Sequence, residues 1–168
     1  MKRIAALLLC IILTITFTAC SGTNTKTERT DYDDGNYIIS YFSEDSVLVK
    51  TSWYRKNNTL IEEREYDKEG NCILITDYDE NGVKKRTHEI TDGVAGKIIE
   101  YQPNGLVSKY AISAYDENRL LVSRTWYTAD NVKEVMDEFE YIDRRIWLVR
   151  TTFYNIDGSV KEVMEFDK

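Results

Sequence analysis

The sequence predicts an all-β fold, an antiparallel meander of about five repeated β-hairpins forming an extended or curled sheet, and three observations predict it. Large side chains return every 11 to 14 residues, at Tyr41, Tyr54, Tyr66, Tyr78, Tyr101, Tyr115, Tyr127, Tyr141 and Tyr154, with Ile90 filling one gap. Segments repeat: 46–54 (SVLVKTSWY), 119–127 (RLLVSRTWY) and 145–154 (RIWLVRTTFY) are variations on one string, and Val132–Met136 recurs letter for letter as Val160–Met164. Turn-forming residues separate the repeats at 55–58, 79–82, 102–105, 128–131 and 155–158, with further signals at 67–70 and 116–119. Asn, Asp and Gly supply there the positive φ that a tight reversal needs.

The chain has 168 residues, enough for one domain once a leader is set aside. Residues 1–19 read as an export signal, because Lys2 and Arg3 precede an apolar run from Ile4 to Phe17 that ends in small residues before Cys20. That run is shorter than the roughly 20 residues a spanning helix needs. Residues 20–36 hold one large side chain, Tyr32, among Ser, Thr, Asn, Gly and charges, and read as a flexible tether reaching on the order of 20 Å. The repeat domain is expected over 37–168.

Within the domain the repeats divide into units 41–65, 66–90, 91–114, 115–140 and 141–168, each a pair of strands. The first strands alternate. One face carries Val47, Val49, Thr51 and Trp53, matched by Leu120, Val122, Arg124 and Trp126, and by Trp147, Val149, Thr151 and Phe153. The other carries Leu48, Lys50, Ser52 and Tyr54, with counterparts ending in Tyr127 and Tyr154. Side-by-side hairpins should then align the rings into ladders, each pair contributing about 0.2–1 kcal/mol. One segment conflicts with this pattern: Val132, Val135, Met136 and Phe139 form a helical stripe that Asp130 could cap. A strand is preferred there, because the equivalent segments 59–65 and 83–89 show no such stripe.

Phe17-Thr18-Ala19-Cys20 resembles the lipobox of bacterial lipoproteins, although Phe17 stands where the family usually has Leu. The resemblance implies cleavage before Cys20, acylation of Cys20, and a lipid-anchored domain at the bacterial cell membrane or outer membrane. The strings at 78–83 (YDENGV), 101–106 (YQPNGL) and 154–160 (YNIDGSV) resemble the YD-type tyrosine β-hairpin repeats of bacterial surface proteins. They are also similar to the variant MORN repeats of small antitoxin-like bacterial proteins. The likeness covers 41–168 and speaks to architecture, since the regular Gly-x-Trp of the MORN pattern is missing.

Composition bounds the function. Net charge is −7, and loss of Lys2 and Arg3 with the leader makes it −9, so no basic surplus is available for nucleic acid. Asp77, Asp79, Asn81 and Gly82 match the first half of a calcium loop, but His88 stands where a bidentate Glu is required, so a hairpin turn is the expected reading and no metal site is expected. His88 is the only histidine and reads as an exposed strand residue. No Gly-x-Ser-x-Gly elbow selects a nucleophile, and no cofactor or enzymatic activity is nominated. Cys72, left without an intramolecular partner once Cys20 is acylated, reads as a small apolar core residue.

The expected function is a membrane-anchored binding or structural module at the cell envelope. It would present Trp53, Tyr54, Trp126, Tyr127, Phe153 and Tyr154 to a protein, peptide or polysaccharide, since aromatic side chains offer large contact area with few rotors to immobilise. The alternative is an immunity or antitoxin-like inhibitor that meets a basic toxin through its acidic surface.

Overall fold

Nine of the chain reversals share one hydrogen-bond pattern, in which the first residue's N–H donates to the fifth residue's carbonyl and the fourth residue's N–H donates to the first residue's carbonyl. This is a type I turn closed by a left-handed residue, a common three-residue hairpin loop. The left-handed position is glycine in five of them and Ser46, Asn58, Arg119 or Asn131 in the others. Every reversal anticipated between 55 and 158 has this form. In most loops the first residue's side chain reinforces the turn: Asp67 Oδ1 accepts from the N–H groups of Glu69 and Asn71, Asp79 Oδ1 from Asn81 and Val83, and Asp116 Oδ1 from Asn118 and Leu120. The half calcium motif is thereby accounted for, since the Asp79 carboxylate is occupied by its own loop.

A computed structural model describes residues 26–142 and 145–167. Twelve strands follow one another in space as they do in sequence: β1 (Lys26–Asp31), β2 (Tyr37–Phe42), β3 (Leu48–Tyr54), β4 (Leu60–Tyr66), β5 (Cys72–Tyr78), β6 (Lys84–Thr91), β7 (Val94–Tyr101), β8 (Val107–Tyr115), β9 (Leu121–Thr128), β10 (Lys133–Ile142), β11 (Arg145–Tyr154) and β12 (Val160–Glu165). All neighbours are antiparallel, and each strand touches only the strands before and after it. The sheet is therefore open, a single layer with edges at β1 and β12. The expected all-β meander is what forms. Residues 26–36, anticipated as part of a tether over 20–36, belong to the sheet instead, because Lys26–Asp31 pairs with β2 and Tyr32–Asn36 closes a hairpin. Polar, turn-rich residues concealed that strand: all six side chains of β1 are exposed, so it carries no apolar alternation to detect. Residues 1–20, including Cys20, lie outside the described residues.

The 130–140 conflict resolves as strand. Lys133 pairs with Tyr127 and Val135 with Trp126, so Glu134 is an extra residue in a bulge, and a second irregularity follows at Glu138/Phe139. The Glu134 bulge offsets the period-2 alternation at the start of β10 and leaves apolar residues at spacings that imitate a helix, while the second irregularity places its extra residue, Val149, on β11.

With no second layer, the core lies within the sheet itself. Apart from the Tyr37 ring at 6%, the most buried side chains are small or medium: Ser52 and Ala111 at 0% exposure, Thr87 at 3%, Ile98 at 5%. They sit mid-strand, where flanking strands and longer neighbours cover them. The strand-ending tyrosines provide much of that cover. Tyr66, Tyr78, Tyr101 and Tyr115 each reach back to the preceding strand, meeting the Thr51 hydroxyl (3.4 Å), Glu63 Oε2 (2.6 Å), the Thr87 hydroxyl (3.3 Å) and the Ala95 carbonyl (2.8 Å). The amphipathic ring shelters apolar surface while its hydroxyl is satisfied.

The left-handed loop position is the point on which each hairpin turns. Gly105 has φ +83°, and nothing stands within 4 Å of where its Cβ would be. Gly105→Ala should destabilise the protein by about 1–2 kcal/mol, a loss of pure backbone origin, measured as a lower urea midpoint with an unchanged slope.

Candidate binding surfaces

Directly opposed residues of an antiparallel pair share a face, so the register sorts the side chains. One face, the tryptophan face, carries Thr51, Trp53, Ile75, His88, Ile98, Ala111, Trp126 and Phe153. The other, the tyrosine face, carries Ser52, Tyr54, Glu63, Thr76, Thr87, Tyr110 and Tyr127. Trp53, Trp126 and Phe153 thus fall on one face, with Tyr54, Tyr127 and Tyr154 opposite. They do not form one site. Trp53 on β3 stands six strands from Trp126 on β9, about 29 Å at the usual strand spacing. Trp126 and Phe153 face each other only across Val135 of β10.

The continuous aromatic columns expected from the repeat are absent among the described residues, and geometry explains why. Tyr54, Tyr78 and Tyr101 end alternate strands at one end of the sheet and lie about 9.6 Å apart, twice the strand spacing, so their rings cannot stack. Tyr66 and Tyr115 end the strands running the other way and fall on the tryptophan face. Rings meet only where the intervening strand supplies its own tyrosine. Tyr37 stacks on Tyr54 with centroids 4.9 Å apart, and Tyr110 on Tyr127 at 5.0 Å. The two pairs are copies. In each the first hydroxyl donates to an asparagine in the left-handed loop position, Tyr37 to Asn58 Oδ1 at 2.9 Å and Tyr110 to Asn131 Oδ1 at 2.8 Å. The sequence match between 46–54 and 119–127 is therefore a match in tertiary contact.

Cations cover several of these rings. Arg29 lies 3.7 Å from the Tyr37 centroid, Lys133 Nζ 3.8 Å from Tyr154, and Lys109 Nζ 4.5 Å from Trp126. Of the six aromatic residues anticipated as binding groups, Trp53 alone is freely exposed, at 38%, in a shallow recess of about 210 Å³ shared with Ile38 and Tyr66. The other five are half-buried.

His88 is also half-buried rather than an exposed strand residue, its Nε2 lying 3.1 Å from Asp77 Oδ2. Charges on the tryptophan face continue across the strands, with Arg86 to Glu100 at 3.0 Å and Lys109 to Glu100 at 3.5 Å. On the tyrosine face Glu63 is the hub. Lys50 Nζ (2.9 Å) and the Ser52 hydroxyl (3.0 Å) donate to its Oε1, and the Tyr78 hydroxyl donates to Oε2. Partial burial by itself would raise the Glu63 pKa, but these three donors outweigh it and hold the carboxyl below its usual range. Burial and the bond to Glu63 push the Tyr78 hydroxyl upward. Cys72 is a free thiol, half-buried and raised in pKa by that burial.

Sequence reasoning did not single out Glu63, Tyr37, Tyr110 or Arg119. For Arg119 a signal existed, since it occupies the left-handed slot that the matched repeat fills with Ser46.

No family model matches the chain, and no curated protein matches it. Among solved structures it is similar to a porin-like protein from Bacteroides uniformis, with 13% identity, 77% of this chain and 58% of that chain covered, and a TM-score of 0.37. A GtfA/B complex bound to UDP and GlcNAc aligns at 9% identity, 88% of this chain and 25% of that chain, with a TM-score of 0.31. The chain thus spans a little over half of the first and a quarter of the second.

A carboxylate lowered in the folded state contributes stability that is present above its unfolded pKa of about 4.3 and lost as pH falls through the folded value. Asp67, lowered by hydrogen bonds from Asn71, and Asp79, lowered by the Val83 N–H, act in the same direction as Glu63. Stability should therefore decline below about pH 4. Glu63→Gln should cost about 1–2 kcal/mol at pH 7 and give a shallower acid limb, read from urea midpoints across pH 3–7.

Proposed function

We propose that the chain is a lipid-anchored lipoprotein whose repeat sheet binds an extended segment of a partner protein at the bacterial cell envelope. The anchoring part rests on the lipobox-like Phe17–Cys20 and the charged, apolar leader before it. The binding part rests on one observation, the contrast between the two edges of the open sheet. Along β1, Lys26 pairs with Glu28 at 2.6 Å and Arg29 with Asp31 at 2.7 Å, a charged edge of the kind that discourages strand addition. Along β12, Val160, Val163 and Met164 are exposed among Lys161, Glu162 and Glu165, and Trp147 and Leu148 of β11 and the following Phe166 extend the apolar surface. An unpaired edge offers main-chain hydrogen bonds, and alternate apolar side chains on both faces give a docking strand its specificity. The charge-interleaved faces favour this reading over an acidic inhibitor, because carboxylates there alternate with Lys and Arg.

Full-length protein should incorporate labelled palmitate and sediment with membranes, and Cys20→Ser should lose both; a Cys20→Ser protein that still carries label would remove the anchor. Pull-down from solubilised envelope should retain a partner, and Val163→Lys should reduce that retention about tenfold with an unchanged circular dichroism spectrum. Undiminished retention would remove the edge from the interaction.

A further inference from the structure

At one end of the sheet the loops between β4 and β5 (67–71) and between β8 and β9 (116–120) are of the longer kind, whereas β6 and β7 are joined between them by two residues, Asp92 (φ 52°) and Gly93 (φ 79°). The short turn leaves a gap between its taller neighbours. A groove of about 670 Å³ occupies it, within the range of small-molecule sites. Its floor is apolar, made by Ile73, Ile75 and Ile90, and Cys72 lies in its wall.

Two arginines line the groove, in different states. Arg64 is neutralised by Glu62 at 2.7 Å. The Arg119 guanidinium has no carboxylate within ion-pair distance among the described residues, and its Nη1 lies 3.9 Å from where a Cβ on Gly93 would stand, so it reaches from its own loop toward the short turn. Arg119 is also held at φ 64°, a conformation that the other loops give mostly to glycine or asparagine. An arginine there carries backbone strain that a glycine would relieve. Of the two acidic groups in the wall, Asp67 is engaged by the Glu69 and Asn71 N–H groups of its own loop. Asp92, exposed in the lining, leaves a negative charge that repels a dianion more than a monoanion.

We propose that this groove binds a small amphipathic monocarboxylate, its apolar body on Ile73, Ile75 and Ile90 and its carboxylate paired with Arg119. One planar guanidinium matches one carboxylate in a bidentate pair, and the isoleucine floor replaces water around the body. The Asp92 charge disfavours a phosphate dianion. This goes beyond the edge-binding reading and is independent of it. It involves a different surface from the β12 edge.

The test uses the full chain with octanoate and its neutral isostere octanamide. Octanoate should shift the methyl resonances of Ile73, Ile75 and Ile90 and slow the reaction of Cys72 with a thiol reagent, and octanamide should bind at least about tenfold more weakly. Arg119→Gly should erase the preference for octanoate while raising the urea midpoint, because the left-handed backbone is relieved; loss of binding then cannot be ascribed to unfolding. Equal affinity for acid and amide, full octanoate affinity in Arg119→Gly, or octanoate shifts confined to other residues would each overturn the proposal. Retention of an envelope partner by Arg119→Gly would leave the edge interaction standing by itself.

Discussion

A sheet one layer thick has nothing to pack against except its own neighbours, and that constraint shapes this protein. Each strand is in contact with at most two others, so apolar area must be removed from water by side chains lying along the sheet. Small residues fill the mid-strand positions and large amphipathic ones fold across them. The tyrosines suit this role because a phenol covers a neighbouring strand and still places its hydroxyl on a polar partner, as Tyr78 does on Glu63. Leucine in the same position would cover the strand but would leave Glu63 Oε2 without the donor that Tyr78 supplies.

The repeating object is one strand with its turn, about 12 residues, and successive copies are inverted with respect to the two faces. A tyrosine that ends one strand on the tyrosine face is followed, a strand later, by one on the tryptophan face at the opposite end. Both faces are therefore built alike, each with tyrosines at one end and a polar or small-residue belt across the middle. The ion pairs follow the same logic. Most opposed charged positions on adjacent strands carry opposite charges, as in Arg86 with Glu100 and Glu100 with Lys109, with Glu62 opposite Asp77 the exception. A repeat of this kind grows by addition of strands, and its ends must be dealt with individually. The charges of β1 pair with one another along that strand, whereas β12 sets exposed Val160, Val163 and Met164 among Lys161, Glu162 and Glu165.

Departures from the repeat are where the molecule ceases to be uniform. The two-residue turn at Asp92 and Gly93 shortens one hairpin among longer loops and so creates a groove that no regular copy would have. Arg119 takes a backbone conformation suited to glycine and directs a cation toward that groove. The mid-strand bulge opposite Glu138 and Phe139, whose extra residue is Val149 of β11, adds an offset beyond the hairpin-end bulges that the other strands share. A perfectly regular array would present the same shallow surface throughout. Irregularity gives two places, the groove and the β12 edge, a chemistry of their own.

How much of this was legible in the amino-acid order differs between levels of structure. Strand identity and turn position were determined locally, because period-2 alternation and the Asp, Asn and Gly of the loops act within a dozen residues. The reversals at 55–58, 79–82 and 155–158 accordingly lie where those residues stand. β1 escaped notice, since an exposed edge strand has no buried face to leave a pattern. Which rings stack, which carboxylate becomes a hub and where a groove opens depend on register across strands 10 to 20 residues apart, and on alternation of faces that a linear reading treats as one. Cross-strand spacing of about 4.8 Å, doubled for strands running the same way, decided that Tyr54 and Tyr78 remain apart while Tyr37 and Tyr54 meet.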